Sequence, residues 1–270
     1  MEHDGREGAV LTTIRTVATT GSTNADLIAL AASGAEEGLW LRAEQQSGGR
    51  GRQGRDWVSP PGNLYASTLV RLRTSDPPPA TLALVAAVAL EEAVRAYLPS
   101  LLPRESGDPG SKASSSATLG SRFRGSTLQI KWPNDLLIDG AKLSGILLER
   151  SSDAVVIGIG VNVAHHPDLP DRPATSLAAH GVAVDAASFL ETLADTFARW
   201  LGKWRGEGIA PIRNRWSERA HPAGTALTAR LPDGSATDGL FERLDADGAL
   251  ILRLADGTTR VIHAADVFLL

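Results

Sequence analysis

The sequence predicts an α+β protein: a main domain of strands and helices over residues 1–220, followed by a small β-barrel over residues 221–270. Three observations support this prediction. Apolar strand-like runs recur between residues 39 and 163, two long segments show helical periodicity, and Asp-Gly pairs divide the tail into short runs. A chain of 270 residues with 43% hydrophobic residues is long enough for one large domain and a small appendage.

The elements of the main domain follow from local patterns. Ser22 and the polar residues after it precede the apolar run 27–32, which is typical of a capped helix start. Helices are also predicted at residues 81–98 and 186–204, and the second has aromatic residues and leucines three or four positions apart, as in a core stripe. Strands are predicted at residues 39–44, 64–72, 128–132, 136–138, 143–148 and 155–163.

Two further segments differ from these elements. Residues 103–126 contain 13 Gly, Pro or Ser residues among 24 and no hydrophobic period, so we expect a disordered surface insertion that is neutral for function. In the tail, the pairs Asp233-Gly234, Asp247-Gly248 and Asp256-Gly257 separate the runs 226–231, 240–244, 249–254 and 259–263. Asp-Gly between such runs is a strong hairpin signal, which predicts the small β-barrel.

Composition excludes several classes of function. A net charge of −4 and an isoelectric point near 5.9 argue against broad nucleic-acid binding. The absence of cysteine excludes disulfides, thiolate catalysis and cysteine zinc sites, and the six histidines lack ligand spacing, so no protein metal site is expected. The longest apolar run, 82–90, is far short of the roughly 20 residues that span a bilayer, and the polar N-terminus is unlike a secretory signal. We therefore expect a cytoplasmic protein without membrane contact.

The most informative motif is the Arg/Gly loop, residues 48–57, in which Arg50, Arg52 and Arg55 alternate with glycines before Trp57. Glycine lets the backbone turn tightly and approach a ligand, and each guanidinium is a planar set of donors suited to phosphate or carboxylate. The three like charges repel one another unless an anion or solvent intervenes. The loop therefore predicts an anion-binding device, with a solvated basic loop as the alternative.

A second motif is Lys131-Trp132-Pro133-Asn134-Asp135, which is followed by Lys142. If residues 139 and 140 form a two-residue hairpin turn, Asp135 and Lys142 share a sheet face across a diagonal of roughly 7–8 Å. A carboxylate and an ammonium aimed at one concavity could position opposite parts of a reaction. The alternative is a surface ion pair that contributes little to stability.

A third motif is the segment Gly158-Ile159-Gly160-Val161-Asn162, which lies inside an apolar run. Glycines within a strand often mark the close approach of another backbone or a ligand. The segment lacks the dinucleotide-binding fingerprint, and no glycine is followed by Lys-Ser or Lys-Thr as in a Walker loop. If the chain uses ATP, it must hold the phosphates by another arrangement.

Together these motifs resemble those of the bacterial biotin protein ligases, also called biotin–[acetyl-CoA-carboxylase] ligases, over about residues 12–217. The resemblance is carried, in order and spacing, by Ser22-Thr23-Asn24, Glu44-Gln45-Gln46, residues 49–55, Trp57, Asn63-Leu64-Tyr65, and residues 131–135, 142–145 and 158–162. It implies a class II synthetase-like catalytic domain, in which helices flank a mixed central β-sheet, and an SH3-like barrel at the carboxyl end.

The resemblance also implies two half-reactions, with biotin and ATP as substrates and Mg²⁺ accompanying ATP. Biotin is first activated as biotinyl-5′-AMP, and the biotinyl group then passes to a lysine of a biotin carboxyl carrier protein domain. The catalytic residues that it implies are Arg50, Arg52, Asp135 and Lys142. Those that bind biotin are Ser22, Thr23, Asn24, Gln46, Arg50, Gly51, Arg52 and Lys142. Those that bind ATP or the adenylate are Arg52, Arg55, Trp57, Lys131, Asn134, Lys142 and Asn162.

Each of these residues has an expected task. Arg50 and Arg52 close over the biotin carboxylate and the α-phosphate, where cationic donors offset the repulsion between like charges. Lys142 holds the same oxygens in the adenylate, and Asp135 orients and deprotonates the incoming lysine. Trp57 and Trp132 are expected to supply apolar walls near the site, with ordinary core positions as the alternative.

The resemblance leaves other readings open. Only 21 residues precede Ser22, too few for the helix-turn-helix of the family's repressors, so the ligase-only class without DNA binding is expected. Members associate through the edge of the central sheet, and a homodimer is left open. A lipoate–protein ligase of the same fold and a non-catalytic biotin-sensing or carrier-binding module are the alternative functions.

Overall fold

The computed structural model describes residues 12–98, 127–169 and 172–270. The strands of its main domain are β1 Thr13–Thr20, β2 Leu39–Gln46, β3 Leu64–Arg71, β4 Leu128–Lys131, β5 Asp135–Ile138, β6 Ala141–Ser151 and β7 Ala154–Val161. They form one seven-stranded sheet in the order β1-β2-β3-β7-β6-β5-β4. β1 runs parallel to β2, and the other neighbours are antiparallel. The expected mixed central sheet is confirmed.

Helices cover this sheet on both faces and bury apolar side chains on each. Within the described ranges they are α1 Thr23–Ala32, α2 Leu82–Tyr97, α3 Ala186–Glu207 and α4 Ala210–Arg219. α2 is buried on almost every side, because it lies between the sheet and the pair α3 and α4. The predicted stripe of α3 is confirmed as core: its buried members are Phe189, Leu193, Phe197, Trp200 and Trp204.

A second, smaller sheet follows the helices. Its strands are β8 Ala226–Arg230, β9 Ala236–Leu244, β10 Leu250–Arg253, β11 Thr259–Ile262 and β12 Asp266–Leu269, in the order β11-β10-β9-β8-β12. The glycine of each predicted Asp-Gly turn has a φ between 82° and 85°, a region that L side chains rarely adopt. The tail therefore folds as the antiparallel β-unit that its turns predict.

The two units share one hydrophobic core. Trp216 of α4 is fully buried, and its ring centroid lies 6.1 Å from that of Phe241 in β9. Trp132 donates its indole N–H to the carbonyl oxygen of Gly248 at 3.1 Å. The division of the chain after residue 220 stays a prediction, and the predicted insertion at residues 103–126 lies outside the described residues.

Several elements differ from the sequence-based expectation. β1, α4 and β12 were not predicted, because β1 is an edge strand with mostly exposed residues, α4 buries only Ile212 and Trp216, and β12 spans four residues. Ser22 does occupy the N-cap of α1, but its side chain makes no capping hydrogen bond. No helix in the described ranges is both long and apolar enough to cross a membrane.

Candidate active site

A cavity of about 210 Å³ lies between the Arg/Gly loop and the strands β6 and β7. Its wall contains most of the residues that the sequence predicted for the site: Ser22, Thr23, Asn24, Gln46, Arg50, Gly51, Arg52, Arg55, Trp57, Asn134, Asp135, Lys142 and Asn162. Lys131 and Trp132 do not line it. Residues that the sequence did not predict also line it, notably Asp266, Arg172 and Leu169. Motifs spread along 140 residues thus meet around one concavity.

The Arg/Gly loop folds back on itself as a tight hairpin. The Gly51 N–H donates to the Arg55 carbonyl at 2.7 Å, and the Trp57 N–H donates to the Gly49 carbonyl at 2.9 Å. Gln53 has a φ of 57° and Gly54 a φ of 71°, so the tip turns through the left-handed region. A Cβ atom at Gly49 would lie 2.5 Å from the Trp57 carbonyl oxygen, so only glycine fits there.

Two arginines of the loop contact the C-terminal unit. Arg55 forms an ion pair with Asp266, and the Arg52 guanidinium lies 3.8 Å from the same carboxylate. Arg52 also donates to the Ala265 carbonyl at 3.1 Å and to the Asn134 Oδ1 atom at 3.4 Å. Burial lowers the pKa of Arg52, against an opposing attraction to Asp266 and Asp135. The loop is therefore held across the cavity by a carboxylate from the tail.

Asp135 lies between two lysines. Its Oδ1 atom is 2.6 Å from Lys142 Nζ, and its Oδ2 atom is 3.6 Å from Lys131 Nζ. The predicted hairpin is confirmed, since Leu137 pairs with Lys142 and a bulge between residues 136 and 137 then sets Asp135 opposite Gly145. Burial lowers the pKa of Lys131. Lys131 does not line the cavity, and it contacts the Asp135 carboxylate from the side away from the cavity. The carboxylate and the Lys142 ammonium face the same space.

Trp57 packs on the glycines of the sheet. A Cβ atom at Gly160 would lie 2.7 Å from the indole, and one at Gly145 would lie 3.2 Å from it. Lys142 Nζ lies 5.5 Å from the centroid of the indole, within the range of a cation–π contact. The expected close approach at the strand glycines is confirmed, and the approaching group is the tryptophan of the loop. Trp132, by contrast, packs toward the C-terminal unit and forms no wall of the cavity.

The far end of the cavity is polar and closely hydrogen-bonded. The backbone N–H of Thr23 donates to Gln46 Oε1 at 2.9 Å, and Gln46 Nε2 donates to the Ser59 hydroxyl at 3.1 Å. Asn162 lies at the other end, beside Lys142: it donates to the Lys142 carbonyl at 3.4 Å and to the Thr175 carbonyl at 3.0 Å, which anchors the chain that follows β7. These side chains are fixed before any ligand arrives, as a pre-formed binding site requires.

The cavity suits an anionic ligand better than a bare metal ion. The cationic side chains on its wall include Arg50, Arg52, Arg55 and Lys142. Across residues 12–98, 127–169 and 172–270, no group of three or more carboxylates and imidazoles is arranged to hold a metal. The charge of the wall therefore matches phosphate and carboxylate groups.

Comparison with known families covers most of the chain. The Biotin/lipoate A/B protein ligase family matches residues 18–162, and a second description of that family matches residues 125–218. The Biotin protein ligase C terminal domain matches residues 224–270. The chain belongs to the biotin/lipoate A/B protein ligase family, as the sequence motifs predicted.

Within this family, the chain is similar to individual proteins that are named biotin ligases. The chain is 39% identical to the biotin--[acetyl-CoA-carboxylase] ligase of Paracoccus denitrificans, over 93% of this chain and 98% of that protein. Its structure resembles the Leishmania major biotin protein ligase in complex with biotinyl-5-AMP, with a TM-score of 0.62 and 26% identity over 93% and 98% of the two chains. It shares its fold with the Aquifex aeolicus biotin protein ligase in complex with biotin and ATP, with a TM-score of 0.77 and 22% identity over 96% and 100%.

Proposed function

We propose that this chain is an ATP-dependent biotin protein ligase, which activates biotin as biotinyl-5′-AMP and transfers it to a lysine of a carrier protein. The observation that carries the proposal is the cavity, which has a cationic end beside Asp135 and a hydrogen-bonding end around Thr23 and Gln46. A carboxylate substrate with a polar ring fits such a cavity at both ends. The relatives named biotin ligases, and the related structure that holds biotinyl-5-AMP, support it.

The cationic end promotes the first half-reaction. A carboxylate oxygen of biotin attacks the α-phosphorus of ATP, and the bond from that phosphorus to the bridging oxygen of pyrophosphate breaks. Arg50, Arg52 and Lys142 reduce the repulsion between the two anions and stabilise the charge of the transition state. Trp57 covers the carboxylate and excludes water, which would otherwise hydrolyse the mixed anhydride.

ATP brings its own metal ion to this site. Mg²⁺ bound to the phosphates neutralises charge on the leaving pyrophosphate. The protein's part is to receive the magnesium nucleotide with side chains at the cavity wall, among them Arg55 of the loop and Asn134. No further metal is needed in this scheme.

Asp135 serves the second half-reaction. The lysine amine attacks the acyl carbon, the bond from that carbon to the phosphate oxygen breaks, and AMP leaves with the electron pair. A lysine is almost wholly protonated at neutral pH, so a carboxylate that accepts its proton raises the fraction of reactive amine. Asp135 is bound to Lys142 at 2.6 Å in this structure, so it stands next to the group that holds the adenylate.

The partner in this proposal is the biotin carboxyl carrier protein domain of a biotin-dependent carboxylase. We also propose a cytoplasmic enzyme that binds neither DNA nor membranes. A homodimer formed through an edge of the central sheet stays open, as it is from the sequence.

Pyrophosphate release tests the proposal directly. The purified chain is mixed with ATP, Mg²⁺ and either biotin or lipoate, and pyrophosphate is measured by a coupled assay. Release with biotin alone supports the proposal. Release with lipoate alone identifies a lipoate ligase, and no release with either identifies a binding module, so each of these results would overturn it.

A further inference from the structure

A chain of hydrogen bonds runs beneath the polar end of the cavity and links three elements of the fold. Asn24 Nδ2, at the start of α1, donates to Glu149 Oε2 on β6 at 2.7 Å. The hydroxyl of Ser67 on β3 donates to Asn24 Oδ1 at 2.6 Å, and it lies 2.7 Å from the hydroxyl of Thr23. Asn24, Ser67 and Thr23 are each at most 4% exposed, so water does not compete for the bonds among these three residues, whereas Glu149 is half-buried.

Glu149 determines which group donates and which accepts in each of these hydrogen bonds. A carboxylate only accepts, and so does the Leu147 carbonyl oxygen 3.4 Å from Asn24 Nδ2, so the amide nitrogen of Asn24 must face them. The amide oxygen then faces Ser67, whose single hydroxyl proton is used on it. Ser67 can therefore only accept from Thr23.

This order of donors and acceptors determines whether the Thr23 hydroxyl can donate to a ligand in the cavity or accept from it. Its hydroxyl oxygen lies 2.7 Å from the Ser67 hydroxyl and 3.2 Å from Gln46 Oε1, which also accepts from the Thr23 backbone N–H at 2.9 Å. Because Ser67 has no proton left for this contact, the Thr23 proton goes to Ser67, the nearer of the two acceptors. The lone pairs of the Thr23 oxygen are what remain for a ligand. If the Asn24 amide turned over, every bond would reverse, and Thr23 would turn its proton away from Ser67.

Gly158 of β7 makes room for the fixed amide. A Cβ atom at this position would lie 2.2 Å from Asn24 Oδ1 and 3.0 Å from Asn24 Nδ2. Any larger residue would displace the amide from its place against the strand. Gly158 thus lets the Asn24 amide lie against the strand, and the hydrogen bonds decide which way the amide faces.

We propose that Glu149 is a positioning residue for ligand specificity: through Asn24 and Ser67 it keeps the Thr23 oxygen as an acceptor for a cyclic urea N–H. This inference rests on the proposed function, because biotin carries such a group. The dithiolane ring of lipoate has no N–H, so it leaves the acceptor unpaired in a buried site. Glu149 does not line the cavity and acts only through the chain.

Steady-state exchange of labelled pyrophosphate into ATP, which reports adenylate formation without a carrier protein, tests this role with biotin and with lipoate in three variants. Glu149→Leu should raise the KM for biotin about tenfold and narrow the preference for biotin over lipoate by a similar factor. The KM for ATP should change less than about twofold, since the chain lies away from the cationic end. Glu149→Gln should recover the wild-type values, because its amide oxygen can still accept from Asn24. Glu191→Leu removes an exposed carboxylate on α3 and should match the wild type.

A second substitution, which interrupts the same series of hydrogen bonds at Ser67, separates the proposed role of Glu149 from simple misfolding. Ser67→Ala should raise the KM for biotin as Glu149→Leu does. The double variant should have a KM for biotin no higher than that of either single variant, because both substitutions interrupt the same series of hydrogen bonds. An unchanged biotin preference in Glu149→Leu, or equal losses with biotin and ATP, would overturn the role of Glu149. A wild-type protein without biotin-dependent exchange would instead overturn the proposed function.

Discussion

Gly160→Ala should displace the tryptophan that covers the cavity. The added methyl group would lie 2.7, 2.8 and 2.9 Å from three atoms of the Trp57 indole, whereas ordinary contacts begin at 3.4 Å. The ring must therefore retreat by at least 0.7 Å, the difference between 3.4 Å and 2.7 Å. Because Trp57 lies on a surface loop, the loop moves and the unfolding free energy changes by less than about 1 kcal/mol.

The loss should appear in catalysis. A displacement approaching 1 Å in a group that positions substrates lowers the rate by as much as about 100-fold, so we expect kcat/KM for biotin to fall about 10- to 100-fold. The assay is biotin-dependent pyrophosphate release. The matched control is Gly202→Ala on α3, where an added Cβ meets no atom within 4 Å, and it should leave kcat/KM unchanged.

The double variant separates this mechanism from a general defect. Trp57→Ala removes the ring that the new methyl group would strike, so adding Gly160→Ala to it should cause no further loss. Wild-type kcat/KM in Gly160→Ala, or fully additive losses in the double variant, would refute the contact between Trp57 and the strand glycines as the cause.

Three further predictions concern separate parts of the structure. Asp135→Asn should slow transfer to carrier protein about 100-fold while pyrophosphate release stays near wild type, and equal losses in both steps would contradict its role as the base. Burial lowers the pKa of His221 to about 4, below its ordinary 6.5, with a smaller contribution from Lys131. The unfolded state therefore takes up the proton first, so stability should fall by up to about 3 kcal/mol between pH 6.5 and 4, and denaturant titrations of His221→Phe should lack this fall. Asp266→Asn should speed tryptic cleavage after Arg55 in the ligand-free chain with little change in melting temperature, because the ion pair is partly exposed; unchanged cleavage would show that Asp266 does not hold the loop.

Local patterns predicted the parts of the fold that local forces determine. The buried stripe of α3 follows from residues three and four apart, and the turns of the tail follow from glycines that tolerate positive φ. The meeting of Asp135 and Lys142 was also predictable, because a two-residue turn joins the strands that carry them, although the bulge that sets Asp135 opposite Gly145 was not. These relations span fewer than about ten residues.

Contacts between residues that are far apart in the sequence could not be predicted from local patterns. Asp266 follows an unremarkable stretch of the tail, and only the packing of the C-terminal sheet brings it to Arg55. Glu149 stands near the end of a strand like any surface carboxylate, and its partner Asn24 is 125 residues away. The glycines of β7 indicated a close approach, but the approaching groups, Trp57 and Asn24, became known only from the structure.

The most direct test of the account is to identify what the protein holds after it meets its substrates. The chain is incubated with biotin, ATP and Mg²⁺ in the absence of any carrier protein, separated from free ligand, and its bound small molecule is measured by mass spectrometry. We expect biotinyl-5′-AMP bound in about equal amount to the protein, kept from water by the Arg/Gly loop and Trp57. Recovery of unreacted ATP and biotin, or of ADP, would contradict it.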